Sequence, residues 1–297
     1  MVKIDLHVHT TSSDGVLTPF EVVDEAYKNG VKFLAIADHD TVDAYTNELF
    51  DYAKSKGIIL IPAVEISTKA NKAGVHVLGY NFDLKNKEFN EKLKTLREAR
   101  HDYLFNVAQK LNELGYILRV DELNKIEAVT KAHIALDIIE NEKNKANLLQ
   151  TFGKIPSKGE FIETIMNEGC PAYVKKNSAT PKEAAETIRL AGGKVVLAHP
   201  VAYVYEDNLT ENEILQIVES MKADGIETNY LYVDRFDKKH DDTRFWNDFA
   251  KKHNLKTTVG SDFHKDDGLR PLIGFANEQF SLTDSEVENI LKFLDIK

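Results

Sequence analysis

His7 and His9 stand one residue apart in Ile4-Asp5-Leu6-His7-Val8-His9, and Asp14 follows five residues on. The apolar residues Val2, Ile4, Leu6 and Val8 alternate, which is a strand signal. Side chains on a strand alternate faces, so both imidazoles project to one side and can grip one divalent cation. Alone, such a pair recurs by chance, and core filler is the plainer explanation. The rest of the chain shifts that balance. His39, Glu65, His76, His199, Asp262 and His264 also sit at or near the ends of apolar runs.

Each has a bland explanation taken singly. His76 lies inside an apolar run, where a lone His is commonly a satisfied core residue. Glu65 can cap a turn, and Asp14-Gly15 is a turn dipeptide. Asp38 and Asp40 can cap a helix or orient His39. Surface placement is expected for His101, His133, His240 and His253. What the bland explanation handles poorly is nine metal-capable residues at successive strand ends. Packed together without a cation, their carboxylates repel and their imidazoles lack partners. Two or three divalent ions satisfy them, and His with Asp and Glu but no Cys suits Mn, Fe or Zn.

The elements that must position these residues follow from the pattern. Thr18-Pro19-Phe20-Glu21 is a capping box that opens a helix ending near Gly30. Strands are expected at 33–37, 58–62 and 75–80, with a helix over 42–56 between the first two. From about 87 to 176 the chain is charged and helical in period, with helices near 89–114, 131–142 and 157–167. Thr180-Pro181-Lys182-Glu183 opens the next helix. Strands at 194–198, 225–228 and 256–259 then alternate with helices near 211–223, 242–253 and 284–294. Continuous apolar strands alternating with helices predict a parallel sheet with helices outside. Seven strands are expected, one short of a standard barrel. The loops after such strands converge on one face, so residues spread over more than 250 positions become candidates for one cluster. The expected domains are a barrel from 1–86 and 177–297, and a helical insertion over 87–176.

Composition narrows the function classes. The 297 residues are 42% hydrophobic, with 38 Lys plus Arg against 48 Asp plus Glu, a formal charge of −10. So acidic a chain is a poor match for long duplex nucleic acid, though metal ions can supply a local positive field. Cys170 is the single cysteine, so no internal disulfide is possible, and a buried thiol is the expectation. No basic segment precedes an apolar run at the start, and no apolar run has membrane-spanning length. The expectation is a cytoplasmic protein with no membrane partner.

His7-x-His9, Asp38-His39-Asp40-Thr41, Glu65, His76 in His76-Val77-Leu78-Gly79-Tyr80, Ala198-His199-Pro200 and Gly260-Ser261-Asp262-Phe263-His264 together resemble the motifs of the PHP (polymerase and histidinol phosphatase) metallophosphoesterases. The nearest subgroup is the stand-alone members that cleave nucleoside 3′,5′-bisphosphates and trim short 5′-phosphorylated RNA. Lys131-Ala132-His133-Ile134-Ala135 and Pro171-Ala172-Tyr173-Val174-Lys175 resemble segments of their insertion. Lys131 stands where the resemblance implies Arg; it keeps the charge without the bidentate fork.

The resemblance implies a distorted (β/α)7 barrel with a three-metal site. His7, His9, Glu65 and Asp262 would hold the first ion. Glu65 would bridge to a second, held also by His76 and His199. Asp14, His39 and His264 would hold the third. A metal-held hydroxide would attack phosphorus in line with the departing ribose oxygen. Asp262, His199 and Glu65 are the catalytic candidates, and Lys175, His133, Arg100 and Lys131 the substrate-binding ones. Tyr203 or Tyr230 could stack on a base, with packing the plainer role. The expected substrates are a small phosphorylated nucleotide or a short RNA. The rivals are a histidinol-phosphate phosphatase, a polymerase accessory domain and a non-catalytic metal-binding module.

Overall fold

The computed structural model describes residues 3–70, 73–126, 129–175, 178–234, 236–277 and 282–296. Val2 of the alternating run and the 176/177 domain boundary lie outside them. Two compact units emerge. One comprises Met1–Leu93 with Ser178–Lys297 and is called the barrel unit; the other, Lys94–Asn177, is the helical unit.

The barrel unit is built on a seven-stranded sheet. In chain order its strands are β1 (Lys3–Val8), β2 (Val31–Ile36), β3 (Ile59–Ala70), β4 (Ala73–Tyr80), β5 (Lys194–Leu197), β6 (Gly225–Asn229) and, after a small ribbon, β9 (Lys256–Val259). They lie side by side in the order β1-β2-β3-β4-β5-β6-β9. Pairing is parallel except on both sides of β4. This departs from an all-parallel sheet for a simple reason. Only two residues separate Ala70 from Ala73, and a parallel return needs a crossover of a dozen or more. β4 therefore runs backwards, which puts His76, near its beginning, at the rim where the parallel strands end. The sheet curls towards closure at that rim: the Asp262 N–H donates to His7 O at 2.8 Å and the His9 N–H to Phe263 O at 2.9 Å.

Helices α1 (Pro19–Lys28), α2 (Asn47–Ser55), α8 (Pro181–Leu190), α9 (Pro200–Asp207), α10 (Glu211–Met221), α11 (Thr243–Lys252) and α12 (Asp284–Phe293) accompany the strands. The Thr18/Glu21 and Thr180/Glu183 boxes form as the sequence predicts, and Thr210/Glu213 and Thr283/Glu286 repeat them. Leu34, Ile36 and Leu60 pack with Val22, Val23, Leu49 and Ala53 of α1 and α2. A second cluster joins Leu6, Ile61, Leu78, Val196 and Val259 to Val287 and Ile290 of α12. The α9 helix and the ribbon of β7 (Tyr232–Val233) with β8 (Lys239–His240) were not expected from the pattern; both are too short for a periodic signal.

The helical unit begins inside α3 (Lys87–Glu113) and continues through α4 (Val120–Leu123), α5 (Lys131–Glu140), α6 (Lys145–Phe152) and α7 (Lys158–Phe161). It has its own core, in which Leu104, Val107 and Leu111 of α3 meet Ile134, Ile138, Leu148 and Phe161. The helix expected over 157–167 is α7 followed by a π-helical turn, Ile162–Met166. No helix among the described residues is long and apolar enough to cross a membrane.

Candidate active site

All nine metal-capable residues of the sequence come together in the barrel unit. His7 is the last residue but one of β1 and His9 follows that strand, His39 follows β2, and His199 opens α9 after β5. Asp262 and His264 follow β9. Glu65 lies within β3 and not after it, because β3 runs on to Ala70. Asp262 sits at φ 50, in the left-handed region disfavoured for a non-glycine residue, and its N–H bond to His7 O holds it there.

Glu65 is the hub. It is 1% exposed, and its Oε2 stands 3.4 Å from His7 Nε2, 3.3 Å from His9 Nε2 and 3.1 Å from His39 Nδ1. Its Oε1 is 3.0 Å from both His76 Nδ1 and His199 Nε2. Asp262 Oδ1 is 3.1 Å from His9 Nε2 and 3.4 Å from His7 Nε2. Asp14 Oδ1 is 3.3 Å from His264 Nε2, and its Oδ2 is 3.8 Å from His39 Nε2. Three groups have donor atoms within 4.8 Å of one another: His7, His9, Glu65 and Asp262; His9, Asp14, His39 and His264; and His39, Glu65 and His76.

Two observations test whether these side chains fit cations. Asp14 Oδ1, Asp262 Oδ1 and His76 Nδ1 are buried with no partner in hydrogen-bond geometry, although opposite charges stand close. The Nε2 atoms of His7 and His9 also face each other at 3.2 Å. Burial works against charge on His7, but Glu227, Glu65 and Asp262 raise its pKa well above the ordinary value. Burial likewise opposes a charged His9, yet bonds to Asp262 and Glu65 hold its pKa at about 10. Glu65 is buried and Asp262 largely so; burial opposes their charge, yet the surrounding histidines depress both carboxyls far below the usual range. Burial drives His39 down to about 3. Two facing imidazoles both driven towards the cationic form are a poor arrangement, and divalent ions in place of those protons remove the conflict. The donor set fits divalent metals.

Surrounding groups fix the donors. Glu227, fully buried, places its two oxygens 3.2 Å from His7 Nδ1 and accepts the His199 N–H at 2.9 Å. This makes Nδ1–H the consistent His7 tautomer and leaves the Nε2 lone pair aimed at Glu65 and Asp262. Asp38 accepts from Thr10 N, Thr10 Oγ1 and Ser13 Oγ, so it shapes the loop carrying Asp14. Asp40 accepts the Ser67 N–H at 3.0 Å. Tyr230 donates to Asp262 Oδ2 at 3.2 Å, and Tyr203 accepts the His76 N–H at 2.9 Å. Both tyrosines are buried, so their role is to hold the site and not to stack on a base. Sequence reasoning missed Glu227. Its signal was a lone carboxylate in the strand Gly225-Ile226-Glu227-Thr228-Asn229, where burial demands a partner.

The four substrate-binding candidates fall in the helical unit. Arg100 is buried, with Nη1 donating to Val129 O at 3.3 Å. Lys131 Nζ donates to Asn167 Oδ1 at 3.1 Å. His133 Nδ1 accepts the Thr130 N–H at 3.1 Å and helps cap α5. Lys175 is exposed and lines a groove of about 330 Å³ with Asn106, Gln109, Lys110, Glu113 and Tyr173. His240, expected at the surface, is 7% exposed, because it pairs with Asp234 and lies against Tyr205.

Known proteins share this arrangement of chain. The PHP domain model matches residues 5–197. A 5′-3′ exoribonuclease of Haemophilus influenzae is 34% identical over 88% of this chain and 90% of its own. A 3′,5′-nucleoside bisphosphate phosphatase of Chromobacterium violaceum is 29% identical over 89% of this chain and 88% of its own. A solved Bifidobacterium adolescentis protein, described as a candidate metal-dependent phosphoesterase, shares the fold: TM-score 0.75 at 22% identity, covering 98% of this chain and 96% of that one. With a match that runs from β1 to β5 and relatives that span nearly its whole length, the chain belongs to the PHP family, as a hydrolase of the metal-dependent phosphoesterase type.

Proposed function

We propose that this chain removes the 3′-phosphate of nucleoside 3′,5′-bisphosphates, such as adenosine 3′,5′-bisphosphate, and trims short 5′-phosphorylated RNA from its 5′ end. The observation that carries the proposal is the hub geometry, in which one buried carboxylate, Glu65, reaches five imidazoles. The names of the two relatives support both activities. The two reactions share one bond. In each, water adds to phosphorus and the bond to O3′ of a nucleotide bearing a 5′-phosphate breaks. The proton ends on O3′, and the products are a nucleoside 5′-phosphate and either inorganic phosphate or the shortened RNA.

Three ions are proposed, drawn from Mn, Fe and Zn. His7, His9, Glu65 and Asp262 would hold one, Glu65, His76 and His199 a second, and Asp14, His39 and His264 the third. Bound divalent ions lower the pKa of water and offset charge developing on the phosphoryl oxygens. The chain supplies the rest. Asp262, fixed by Tyr230 through Oδ2, orients the attacking water with Oδ1. His199 and Glu65 hold the phosphoryl group's side of the site. The helical segment over 87–176 acts as the substrate cap, where Lys175, His133 and Lys131 bind the second phosphate; Arg100, a further candidate of the sequence, is buried and supports that segment through Val129 O. Lys175 leads that set because its ammonium is exposed.

The test is phosphate and nucleotide release by the Mn-loaded protein. Its substrates are adenosine 3′,5′-bisphosphate, a short 5′-phosphorylated RNA and histidinol phosphate. AMP from the first and 5′-nucleotides from the second are expected. Turnover of histidinol phosphate alone would overturn the substrate and keep the site.

A further inference from the structure

The chemistry makes no use of Tyr45, yet its hydroxyl stands inside the sheet. Thr46 caps α2, its side chain accepting the Leu49 N–H, so Tyr45 is the residue before the cap. Its ring packs on that of Phe50, five residues on, with 5.8 Å between centroids. This pairing across a helix start fixes the angle at which the chain enters the helix. Tyr45 is thereby laid against the core cluster that holds Leu34, Ile36 and Leu60.

What the hydroxyl meets is backbone. Tyr45 Oη accepts the Ile36 N–H at 2.9 Å and the Ala63 N–H at 2.9 Å. It lies 2.7 Å from both Ile36 O and Ile61 O, and its one proton can be donated to either. Ile36 of β2 stands opposite Pro62 of β3. In a plain parallel ladder Ile36 would give its N–H to Ile61 O and take the Ala63 N–H on its own oxygen. The phenol stands among all four of these groups. A hydroxyl, with one donor and two acceptor sites, suits a point where two N–H groups and two carbonyls converge.

Its level in the sheet ties it to the site. Three residues beyond Ile36 and Pro62 on their two strands, His39 and Glu65 face each other in the same register. There the backbones pair again: the Glu65 N–H donates to Asp38 O at 3.2 Å and the Asp40 N–H to Glu65 O at 3.0 Å. Glu65 is the carboxylate that reaches five imidazoles, and His39 Nδ1 is 3.1 Å from its Oε2. A group bonded between β2 and β3 just before this point sets the separation of the backbones that carry both.

Resting on the metal reading of the site proposed above, we infer that Tyr45 is a positioning residue. Its hydroxyl, bonded between β2 and β3, holds His39 and Glu65 at the spacing on which cation binding depends. It acts through the two strands and not on an ion or the substrate.

The test is Tyr45→Phe, which removes one oxygen and keeps the ring. Without the hydroxyl, Ile36 can bond Ile61 and Ala63 directly, so the variant should fold. Its affinity for Mn or Zn, read by competition against a fluorescent chelator with no substrate present, should fall about tenfold, the scale for groups that orient metal ligands. The electron paramagnetic resonance spectrum of the Mn-loaded variant should change as well, because the ions follow their donors. Thr283→Ala removes the side-chain cap of α12 and has no part in this contact, so it controls for general loosening. It should melt lower and keep wild-type affinity. Wild-type affinity in Tyr45→Phe, or an equal loss in both variants, overturns the inference. So does a Tyr45→Phe chain that fails to fold, since the hydroxyl would then serve the sheet and not the site. A wild-type protein that binds no metal would overturn the metal reading and this inference together.

Discussion

Replacing Glu227 by Gln keeps the side chain's size and removes half of what it does. The carboxylate takes two donors at once, His7 Nδ1–H and the His199 backbone N–H, with no exposure to water. The amide has one oxygen. Its NH2 must face the other donor, so one buried N–H loses its acceptor. A bond to a charged group contributes about 1.5–3 kcal/mol, and an unsatisfied buried donor costs about 1–3 kcal/mol. Around metal sites, loss of such a supporting partner lowers metal affinity about 10–100-fold, or roughly 1.4–2.8 kcal/mol. The two scales agree. Glu227→Gln should therefore fold, melt a few degrees lower, and bind Mn or Zn about 10–100-fold more weakly. Excess metal should restore part of the rate, since no donor atom has been removed. Competition against a fluorescent chelator gives the affinity and a circular-dichroism melt the stability. A folded Glu227→Gln protein with wild-type affinity would refute the reasoning.

The remaining outcomes test other links. Asp262→Asn should keep the fold and lose about 1000-fold or more in kcat, roughly 4 kcal/mol of transition-state stabilisation; unchanged turnover would sink the site assignment. A Cβ on Gly260 would collide with His7 and stand 2.5 Å from Glu227 Oε1. Gly260→Ala should therefore disturb both residues, cost about 1–3 kcal/mol and weaken metal binding, measured by the same chelator titration. Stripping metal should abolish phosphate release and lower the melting temperature, by about 2.7 kcal/mol of stability relative to metal at a hundredfold excess over Kd. Thr180→Ala, which removes the cap of α8, should cost about 1 kcal/mol in a denaturant melt and leave activity unchanged.

Much of the site was legible because its residues sit where local patterns change. His39, His199 and Asp262 each follow an apolar run, and in a barrel-like sheet such positions meet. His76 was legible only as a possible exception. Its place at the active rim depends on β4 running antiparallel, which follows from the short link after Ala70. Glu227 and Asp5 were hidden by their setting: each is one carboxylate in an apolar strand, and its partners are far off in sequence. Asp5, for instance, accepts from Ser261 and Gly274. The tyrosines fell the other way. Aromatic type alone left stacking open for Tyr203 and Tyr230 beside the plainer packing role, and burial against His76 and Asp262 favours packing. The Thr18 and Thr180 capping boxes were readable because two side chains within a four-residue span carry the whole interaction. α9 and the ribbon were not, since a helix of eight residues and strands of two leave no period to read.

The account rests on nine His, Asp and Glu side chains holding divalent ions together. Anomalous diffraction from crystals of the Mn-loaded protein measures this directly. Three peaks are predicted, one within bonding distance of His7, His9, Glu65 and Asp262, and the others beside His76 with His199 and beside Asp14 with His264. Peaks elsewhere, or none in a protein that still releases phosphate, would contradict it.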